Sequence, residues 1–454
     1  SPSIRMVTSM TDFTQKKFGL ISLGCDKNRV DAEKLLAQIK ARGCAITNDI
    51  EEAQVLIINT CSFLEASRKE AIETIIECAA YKEQGGLEKI VVTGCLPQKF
   101  IGDIYEELTE ADVFVGTYDY DVFFDALSRA YEDGRCNMVG AGKNPFTCER
   151  VVTTPLHYAY LKIADGCNNR CTYCLIPKIR GAYFSYPMEE LVKEAEGLGE
   201  VAELILVAQD VTRYGIDLYG EKKLCEILQK LTALDNINSV RLLYCYPEMI
   251  DDALISEIRD NKKIIKYLDI PFQHSEDRIL KMMNRRGTRQ SYLDLIAKLR
   301  KEIPGIAIRS TFICGFPTET EEESAALGEF LKQAELDNCG FFSYSREEGT
   351  PAYKIKGQIA AAVKNRRVKN MYAIQKSVSL KKMHSHVGKT LKVLCDGISE
   401  ENGCFYGRAY FSAPDIDGNV YFNASFAEQG KYYDVIIEDC DNYNLYGRTE
   451  DYAE

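Results

Sequence analysis

Residues 158–181 read YAYLKIADGCNNRCTYCLIPKIRG, and the interpretation of the whole chain begins from this segment. The apolar run that opens it predicts a β-strand, and the loop that follows carries Cys167, Cys171 and Cys174. Three thiolates on one short loop can bind three irons of a [4Fe–4S] cluster, and no fourth Cys follows at ferredoxin spacing. Zinc is the alternative, but it requires a fourth ligand nearby, and the nearest His, His157, precedes the strand. The spacing therefore predicts a cubane cluster with one iron open to a small-molecule ligand.

Length, cysteine count and charge limit the class of protein. The chain has 454 residues, 17 Cys and a formal net charge of −12. The length predicts several domains, and an odd number of Cys in a long chain favours a reducing compartment and cofactor chemistry over disulfides. The first fifteen residues lack the apolar core of a signal peptide, and no apolar run approaches the roughly 18 residues of a membrane span. We therefore predict a cytoplasmic protein with no membrane partner, whose acidic balance favours a basic partner.

Three strand-like segments near the N-terminus each end at a Cys. They are residues 18–25 (FGLISLGC), 55–61 (VLIINTC) and 90–95 (IVVTGC), with helical patterns over residues 30–42 and 64–82. Alternation of strands and helices predicts a parallel sheet, in which the strand ends meet at one edge, where ligands bind. We therefore expect Cys25, Cys61 and Cys95 to form a second three-thiolate cluster site. Three buried structural cysteines are the alternative.

The middle of the chain repeats strand-like and helical patterns. Strands are expected over residues 158–163, 203–208, 239–245, 267–270, 307–313 and 341–345, and helices over 189–198, 224–234, 251–260, 291–302 and 321–334. Thr318 and Glu321 fit a capping box that opens the last helix. Six βα units predict a partial, open relative of the eight-fold βα barrel, whose active sites lie at the carboxyl ends of the strands.

Several polar residues and one glycine follow the predicted strands, where a cofactor would bind. They are Gln209, Asp210, Gln273, His274 and Gly315. A glycine there would let the backbone approach a cofactor closely. Each residue also has a structural explanation, namely loop polarity, a hydrogen-bonded histidine or a tight turn. Arg278, Arg285 and Arg286 follow on a helical stretch, and the sequence leaves open whether they bind an acidic group or form a solvated face.

The last part of the chain predicts a small β-barrel. After a basic helical connector (residues 364–386), five short runs follow over residues 390–395, 405–409, 419–422, 433–440 and 444–448. Such a pattern is typical of a small antiparallel barrel of the OB type, which usually binds RNA. Residues 387–454 nevertheless carry five Lys/Arg and thirteen Asp/Glu, whereas an RNA-binding surface should be basic. The charge predicts a basic protein partner, with solubility as the alternative explanation.

These three parts, in this order, resemble the radical S-adenosylmethionine (SAM) methylthiotransferase family over residues 17–448. The motifs SLGCDKN, NTC and GC match the family's N-terminal cluster motifs, and C-x3-C-x2-C matches the radical-SAM motif. The resemblance implies an α/β protein in four segments. They are an N-terminal parallel α/β sheet domain (17–135), a linker (136–155), a radical-SAM core built as a partial (βα)6 barrel (156–386) and a C-terminal TRAM domain (387–454).

Within this family, the chain looks like the ribosomal-protein branch (RimO-like) rather than the tRNA branch (MiaB-like). The segments that carry this likeness are SLGCDKN, HYAYLKIADGCNNRCTYCLIPKIRG and YLDIPFQHSEDRILKMMNRRG, together with the acidic barrel. The ribosomal-protein branch adds a methylthio group to the β-carbon of an aspartate of small-subunit ribosomal protein S-twelve. Asp26 stands where SLGCPKN has Pro, and Ala208 where many members have Gly, but neither difference removes a ligand.

The resemblance also implies the cofactors and their roles. One [4Fe–4S] cluster, on Cys167, Cys171 and Cys174, would bind and cleave SAM, which serves as both radical source and methyl donor. The other, on Cys25, Cys61 and Cys95, would carry the methylated sulfur, and both clusters would face one cavity. No catalytic residue beyond these ligands is predicted. The implied partners are the ribosomal protein and an electron donor such as flavodoxin or ferredoxin.

Two other functions remain open at this point. A tRNA methylthiotransferase acting on an N6-modified adenosine would share all six cluster ligands, and only the charge of the barrel argues against it. A non-catalytic iron–sulfur protein for electron transfer is a second alternative. An open iron at each cluster would serve no purpose in that case, because a fourth ligand holds the cluster better when only electrons move.

Overall fold

The computed structural model describes residues 11–452. The first ten residues of the N-terminal stretch interpreted above, and the last two of the predicted barrel, lie outside the described residues. The chain forms two compact units. Among the described residues, one consists of residues 11–153 and 175–182, and the other of residues 154–174 and 183–452. No helix in the described part is long and apolar enough to span a membrane.

A six-stranded parallel sheet organises the first unit. Its strands are β1 (Lys17–Ser22), β2 (Ala45–Ile46), β3 (Val55–Thr60), β4 (Lys89–Gly94), β5 (Val113–Phe114) and β6 (Cys136–Asn137). Its helices are α1 (Asp26–Ala41), α2 (Glu65–Cys78), α3 (Ala80–Gln84), α4 (Cys95–Ile104), α5 (Phe123–Asp133) and α6 (Ile176–Ile179). The strand order is β2-β1-β3-β4-β5-β6, and every pair is parallel. The predicted parallel α/β sheet is confirmed.

Both faces of this sheet are covered, as is usual for parallel sheets. Strand β3 is buried along its whole length. Successive side chains of a strand point to opposite faces, so Ile57 packs in one hydrophobic cluster, while Leu56 and Ile58 pack in the other. The alternation explains why the strand reads as an unbroken apolar run rather than as an apolar–polar pattern.

The residues predicted as a linker are partly packed on the first unit. Strand β6 lies within that stretch, and Val151 N–H donates to the carbonyl of Glu33 on α1 over 3.0 Å. The carboxylate of Glu33 is buried, accepts a hydrogen bond from Thr153 N–H over 2.9 Å, and lies 2.5 Å from Arg150 Nη2. The end of this stretch is therefore fixed against α1 by a buried ion pair.

Six parallel strands form the main sheet of the second unit, and a two-stranded ribbon accompanies them. The strands are β7 (Tyr158–Lys162), β8 (Ala164–Asp165), β9 (Phe184–Ser185), β10 (Glu203–Val207), β11 (Val240–Leu242), β12 (Ile264–Asp269), β13 (Ala307–Cys314) and β14 (Asn338–Ser343). The helices are α7 (Met188–Glu196), α8 (Ile216–Tyr219), α9 (Leu224–Thr232), α10 (Asp252–Asp260), α11 (Asp277–Met282), α12 (Arg289–Glu302), α13 (Glu321–Ala334) and α14 (Ala361–His384). The sheet order β14-β13-β12-β11-β10-β7 follows the chain and is open, as expected for a partial barrel, while β8 pairs with β9.

The capping box of α13 differs from the prediction. Thr320, not Thr318, accepts the hydrogen bond from the backbone N–H of Glu323, and the Glu323 carboxylate accepts from Thr320 N–H. Thr318 instead adopts a left-handed conformation, with φ 73°, inside the preceding turn. The turn is therefore longer than predicted, and the helix cap lies two residues later.

A closed five-stranded barrel ends the second unit. Its strands are β15 (Thr390–Ser399), β16 (Cys404–Arg408), β17 (Val420–Asn423), β18 (Tyr432–Cys440) and β19 (Leu445–Arg448). The order around the barrel is β15-β16-β17-β19-β18. All pairs are antiparallel except β17 with β19, which is parallel. A closed ring with an odd number of strands cannot alternate direction at every pair, so the predicted antiparallel barrel must contain one such exception.

Buried ion pairs fix the barrel to the amino-terminal end of the six-stranded sheet. Arg408 Nη1 lies 2.7 Å from Oε2 of Glu203, the first residue of β10, and its Nε lies 2.9 Å from Asp396 Oδ2. His157, which precedes β7, places Nε2 2.6 Å from Asp396 Oδ1, and Arg241 also pairs with Glu203. The cysteine loop follows β8 at the opposite end of the strands. The barrel therefore packs away from that loop.

Candidate metal centres

Three cysteines lie at one edge of the first sheet. Cys25, Cys61 and Cys95 follow the carboxyl ends of β1, β3 and β4, which are neighbouring parallel strands. Cys25 is the N-cap residue of α1, Cys95 is the first residue of α4, and Cys61 shortly precedes α2. Helix amino termini carry partial positive charge, which stabilises thiolates and anionic groups bound there. The parallel topology thus places three sulfur donors along one edge, two of them at helix starts.

The electrostatics of these thiols fit a bound cationic centre. Burial raises the pKa of Cys95 and the charge of Arg180 offsets part of that shift, while the charges of Cys25 and Cys61 raise the pKa further. Burial also raises the pKa of Cys61, with a contribution from the charge of Cys25. These interactions place the three sulfurs within electrostatic reach of one another. Iron would compensate their charges, and binding would release the thiol protons.

Two side chains that sequence reasoning missed contact Cys95. Arg180 Nη2 lies 3.7 Å from Cys95 Sγ, and Asn28 Nδ2 lies 3.9 Å from it. Asn28 also donates to the carbonyl of Thr60 over 3.0 Å and accepts a hydrogen bond from Arg180, whose Nη1 lies 3.0 Å from Asp31 Oδ2. Asn28 belongs to the SLGCDKN motif and Arg180 to the segment that follows the second cysteine loop, but nothing in the sequence indicated that either side chain would contact Cys95.

The cysteine loop of the second unit is held in place by its backbone. The loop carries Cys167, Cys171 and Cys174, all partly buried. Thr172 N–H donates to the carbonyl of Met283 over 3.0 Å, and Thr172 Oγ1 donates to the carbonyl of Met282 over 2.8 Å. Ala352 N–H donates to the carbonyl of Thr172 over 2.9 Å, and Asn284 Nδ2 donates to the loop over 3.1 Å. These bonds give the three sulfurs a defined backbone before any ligand binds.

Burial raises the pKa of two side chains in this loop. Burial raises the pKa of Cys167 to about 11, and the charges of Cys171 and Asp210 act in the same direction. Burial likewise raises the pKa of Tyr173, and the charges of Cys171 and Cys174 add to that shift. The loop therefore places three sulfur donors close together, and a bound cation would compensate the charge of their thiolates.

No three His, Cys, Asp or Glu side chains among residues 11–452 are arranged to hold a single metal ion. Each thiolate of a cubane binds a different iron, so the ligands of a cluster surround it rather than share one ion. Both sets of three thiols offer the donor chemistry that such a cluster requires.

The structure separates the three arginines that follow His274. Arg278 is exposed and pairs with Glu323, and Arg286 is exposed. Arg285 is buried, with Nη1 3.9 Å from Cys171 Sγ. Of the two interpretations that the sequence left open, a solvated face therefore describes Arg278 and Arg286, but not Arg285.

Gln209 and Asp210 lie at the carboxyl end of β10. Asp210 is buried and accepts hydrogen bonds from Thr212 N–H over 3.0 Å and from Asn169 Nδ2 over 3.2 Å, which ties this strand end to the cysteine loop. Arg213 Nη2 donates to Asn169 Oδ1 over 3.0 Å and extends the same network. Gln209 is partly exposed, and its side chain makes no hydrogen bond within residues 11–452.

His274 and Gly315 share one buried carboxylate. His274 Nε2 lies 2.7 Å from Glu319 Oε2, and its Nδ1 accepts from Glu276 N–H over 3.1 Å, so both ring nitrogens are engaged. Glu319 Oε1 also accepts from Gly315 N–H over 3.1 Å and from Arg367 Nη1 over 2.9 Å. The structure thus joins two of the predicted residues through a carboxylate that the sequence analysis did not single out.

Two of the predicted residues have left-handed backbones. Gln273 has φ 71°, an uncommon conformation for a side chain of its size, and its buried Oε1 has no hydrogen-bond partner in the described part of the chain. Gly315 has φ 75°, and a Cβ there would lie 2.3 Å from Lys364 Cγ. Packing against Lys364 is sufficient to require the glycine, apart from any approach to a cofactor.

Three known families match successive parts of the chain. Residues 17–116 match the Uncharacterized protein family UPF0004, residues 161–331 match the Radical SAM superfamily, and residues 387–449 match the TRAM domain. The Radical SAM match implies SAM and an iron–sulfur cluster as cofactors.

Curated relatives match nearly the whole chain. A "Ribosomal protein uS12 methylthiotransferase RimO" of Lachnoclostridium phytofermentans is 45% identical over 439 residues, which cover 96% of this chain and 100% of the relative. The proteins of the same name from Acetivibrio thermocellus and Thermoanaerobacter sp. are 44% and 43% identical, covering 96% and 95% of this chain and 98% and 99% of the relatives.

A solved structure supports the fold. The cobalamin-dependent S-adenosylmethionine radical enzyme OxsB, with aqua-cobalamin and S-adenosylmethionine bound, aligns with a TM-score of 0.50 at 11% identity. The alignment covers 80% of this chain and 56% of that one, so the chain spans just over half the length of OxsB. At this identity the likeness shows a shared fold alone.

Proposed function

The chain belongs to the radical-SAM methylthiotransferase family, and we propose that it adds a methylthio group to the β-carbon of an aspartate of ribosomal protein uS12. The observation that carries this substrate is the 43–45% identity, over nearly the whole chain, to relatives named for that activity. The acidic barrel supports it, because residues 387–454 carry thirteen Asp/Glu against five Lys/Arg, and this negative charge attracts a basic protein and repels RNA.

We further propose two [4Fe–4S] clusters, one in each unit. Their ligands are Cys25, Cys61 and Cys95 for the first and Cys167, Cys171 and Cys174 for the second. When bound, these clusters and SAM supply a radical that removes hydrogen from an unactivated C–H bond and a methylated sulfur for the resulting carbon. The two sets of interacting thiols, each with three sulfur donors, support this assignment.

The residues of the chain prepare and hold these sites. The thiols lose their protons as iron binds, and the helix starts at Cys25 and Cys95 favour the resulting negative charge. Thr172 fixes the second loop through three hydrogen bonds, so its sulfurs keep their spacing. Asp210 joins β10 to that loop through Asn169, which positions the strand end beside the cysteines.

We propose that the five predicted cofactor-binding residues divide into two roles. Gln209 and Gln273 contact SAM directly, because each offers amide atoms without a partner within residues 11–452. Asp210, His274 and Gly315 hold the surrounding loops, because their polar atoms are already engaged within the chain.

The proposed partners follow from the placement of the barrel and from the chemistry. Because the barrel packs on the amino-terminal ends of the strands, it binds a part of uS12 separate from the reacting aspartate. A one-electron donor such as flavodoxin or ferredoxin reduces the enzyme, and the reaction takes place in the cytoplasm, where uS12 is made. The functional domains are residues 17–135, 156–386 and 387–454, with residues 136–155 between the first two.

Mass analysis of the substrate tests the proposal. Anaerobically reconstituted protein is incubated with SAM, sulfide, a reductant and either uS12 or tRNA, and each product is analysed by mass spectrometry. We expect a methylthio group on one aspartate of uS12, none on tRNA, and no modification with the matched variant Cys171→Ala. Modification of tRNA alone would overturn the substrate assignment in favour of the tRNA branch.

A further inference from the structure

Arg285 lies buried beside the cysteine loop of the second unit. Its exposed fraction is 6%, and its backbone N–H donates to the carbonyl of Leu280 over 2.8 Å. The guanidinium lies over the ring of Tyr246, 4.4 Å from the ring centroid, and one terminal nitrogen donates to the carbonyl of Pro271. The other terminal nitrogen, Nη1, lies 3.9 Å from Cys171 Sγ. The side chain is therefore held with one donor directed at a proposed cluster ligand.

No carboxylate within residues 11–452 forms an ion pair with this guanidinium. The ionisable groups close to it include Cys171 and three tyrosines, Tyr173, Tyr246 and Tyr292. An arginine does not lose its proton in a protein, and a buried charge is costly unless an anion compensates it. The thiolate of Cys171, with whatever it binds, is the anion that this arrangement provides.

The arginine beside the other set of thiols is different in this respect. Arg180 contacts Cys95 at 3.7 Å, but its Nη1 also lies 3.0 Å from Asp31 Oδ2. The ion pair with Asp31 offsets part of the effect of the Arg180 charge on the sulfur. No carboxylate of the described residues offsets the charge of Arg285. Its electrostatic effect on a cluster bound at the cysteine loop should therefore be larger than that of Arg180 on a cluster bound at Cys95.

We propose that Arg285 is a positioning residue that raises the reduction potential of the cluster on Cys167, Cys171 and Cys174. The proposal rests on the proposed function, in which this loop holds that cluster. One-electron reduction, by a low-potential donor protein or by dithionite, adds one negative charge to the cluster and its thiolates. A buried positive charge and an N–H donor at Cys171 Sγ stabilise the reduced form more than the oxidised form, since hydrogen bonds to the sulfurs tune cluster potentials.

A redox titration of a protein with one cluster tests this directly. The triple variant Cys25→Ala/Cys61→Ala/Cys95→Ala serves as the background, so that only the second unit holds a cluster. The midpoint potential is measured by electron paramagnetic resonance during titration with dithionite. In Arg285→Gln we expect the equilibrium constant for reduction to fall about tenfold, which lowers the midpoint by about 59 mV for one electron.

Two further variants control for structural effects. Arg285→Lys keeps the charge but loses the planar donor set. We expect its equilibrium constant for reduction to fall about threefold, which places its midpoint potential between those of the background protein and the Gln variant. Arg286→Gln, in the same background, should leave the potential unchanged, because Arg286 is exposed and solvent screens its charge. A purely structural role for Arg285 would alter the amount of iron bound but not the potential of the clusters that remain.

The outcomes separate this inference from the proposed function. A midpoint in Arg285→Gln equal to that of the background protein would overturn the role of Arg285. If that variant binds no iron, Arg285→Lys decides, and an unshifted midpoint there would overturn the role equally. A background protein that binds no cluster at all would instead overturn the ligand assignment on which the inference rests.

Discussion

Replacing Glu203 by Gln should loosen the barrel from the six-stranded sheet. Glu203 and Arg408 are each 2% exposed at their side chains, and their ion pair measures 2.7 Å. The same carboxylate pairs with Arg241, which is also buried. Removal of one partner from a buried ion pair leaves uncompensated charge and costs about 3–5 kcal/mol. We expect a loss of this size in the free energy of unfolding of the second unit.

Urea denaturation measures this loss. The chain has no Trp and 27 Tyr, so tyrosine fluorescence and far-UV circular dichroism together follow the unfolding of the Tyr-rich barrel. Glu438→Gln is the matched control, because Glu438 pairs with Arg448 over 2.8 Å at exposures of 52% and 36%. An exposed pair contributes no more than about 1 kcal/mol. Equal losses in the two variants would refute the claim that buried charge fixes the barrel.

The pH dependence of stability provides a second readout of the same contact. Burial alone would raise the pKa of Glu203, but Arg241 and Arg408 outweigh it and hold the pKa below its usual value of 4.5. A carboxyl group whose pKa is lower in the folded than in the unfolded state contributes its full stabilisation when the pH is above the unfolded-state pKa. This contribution is lost as the pH falls through the folded-state pKa. The stability difference between the parent protein and Glu203→Gln should therefore narrow below about pH 4.5.

Three further predictions concern function. Cys171→Ala should abolish SAM cleavage, whereas Cys61→Ala should retain it but stop methylthio transfer, as measured by 5′-deoxyadenosine release and substrate mass; transfer by the Cys61 variant would contradict the division of roles. Glu319→Gln should raise the KM for SAM about tenfold, because the bonds to Glu319 hold two loops of the cofactor site; an unchanged KM would show that these loops do not shape the site. The double variant Glu400→Lys/Glu401→Lys reverses two exposed acidic charges of the barrel and should raise the KM for uS12 several-fold at low salt. The difference in KM from the parent protein should disappear at high salt, where charges are screened; a salt-independent difference would exclude electrostatic docking.

The arrangement of the first three cysteines could be predicted because topology alone determines it. Strands separated by helices form parallel sheets, and parallel strands end at one edge, so residues as far apart as Cys25 and Cys95 meet there. The contact of Arg180 could not be predicted in the same way. Its approach to Cys95 depends on where residues 175–182 pack within the first unit, and no periodicity in the sequence encodes that packing.

Several local elements escaped prediction for identifiable reasons. Strands β2, β6, β8 and β9 have two residues each, which is too short for any alternating pattern. Helix α4 contains Pro97 and Gly102, which argue against a helix, but Pro97 lies in the first turn, where no backbone N–H is needed. The spacing of Thr318 and Glu321 fits a capping box as well as that of Thr320 and Glu323, and only the length of the turn decides between them.

For the predicted cofactor-binding residues, the sequence indicated their position at strand ends but not their contacts. His274 and Gly315 were predicted to bind the cofactor because each follows the end of a predicted strand. The structure places both beside Glu319. The sequence did not reveal the hydrogen bond between this carboxylate and the imidazole ring of His274, because a buried partner 45 residues away leaves no local pattern. Arg285 is a similar case, because burial beside Cys171 distinguishes it from its exposed neighbour Arg286.

The number of irons bound per chain tests the central claim most directly, namely that each unit holds its own three-thiolate cluster. Iron is quantified after anaerobic reconstitution of the parent protein and of two triple variants, one with Cys25, Cys61 and Cys95 replaced by Ala and one with the second loop's cysteines replaced. We expect about eight irons in the parent protein and about four in each variant, because each cubane contains four. About four irons in the parent protein, with none lost in one of the variants, would contradict the two-cluster account.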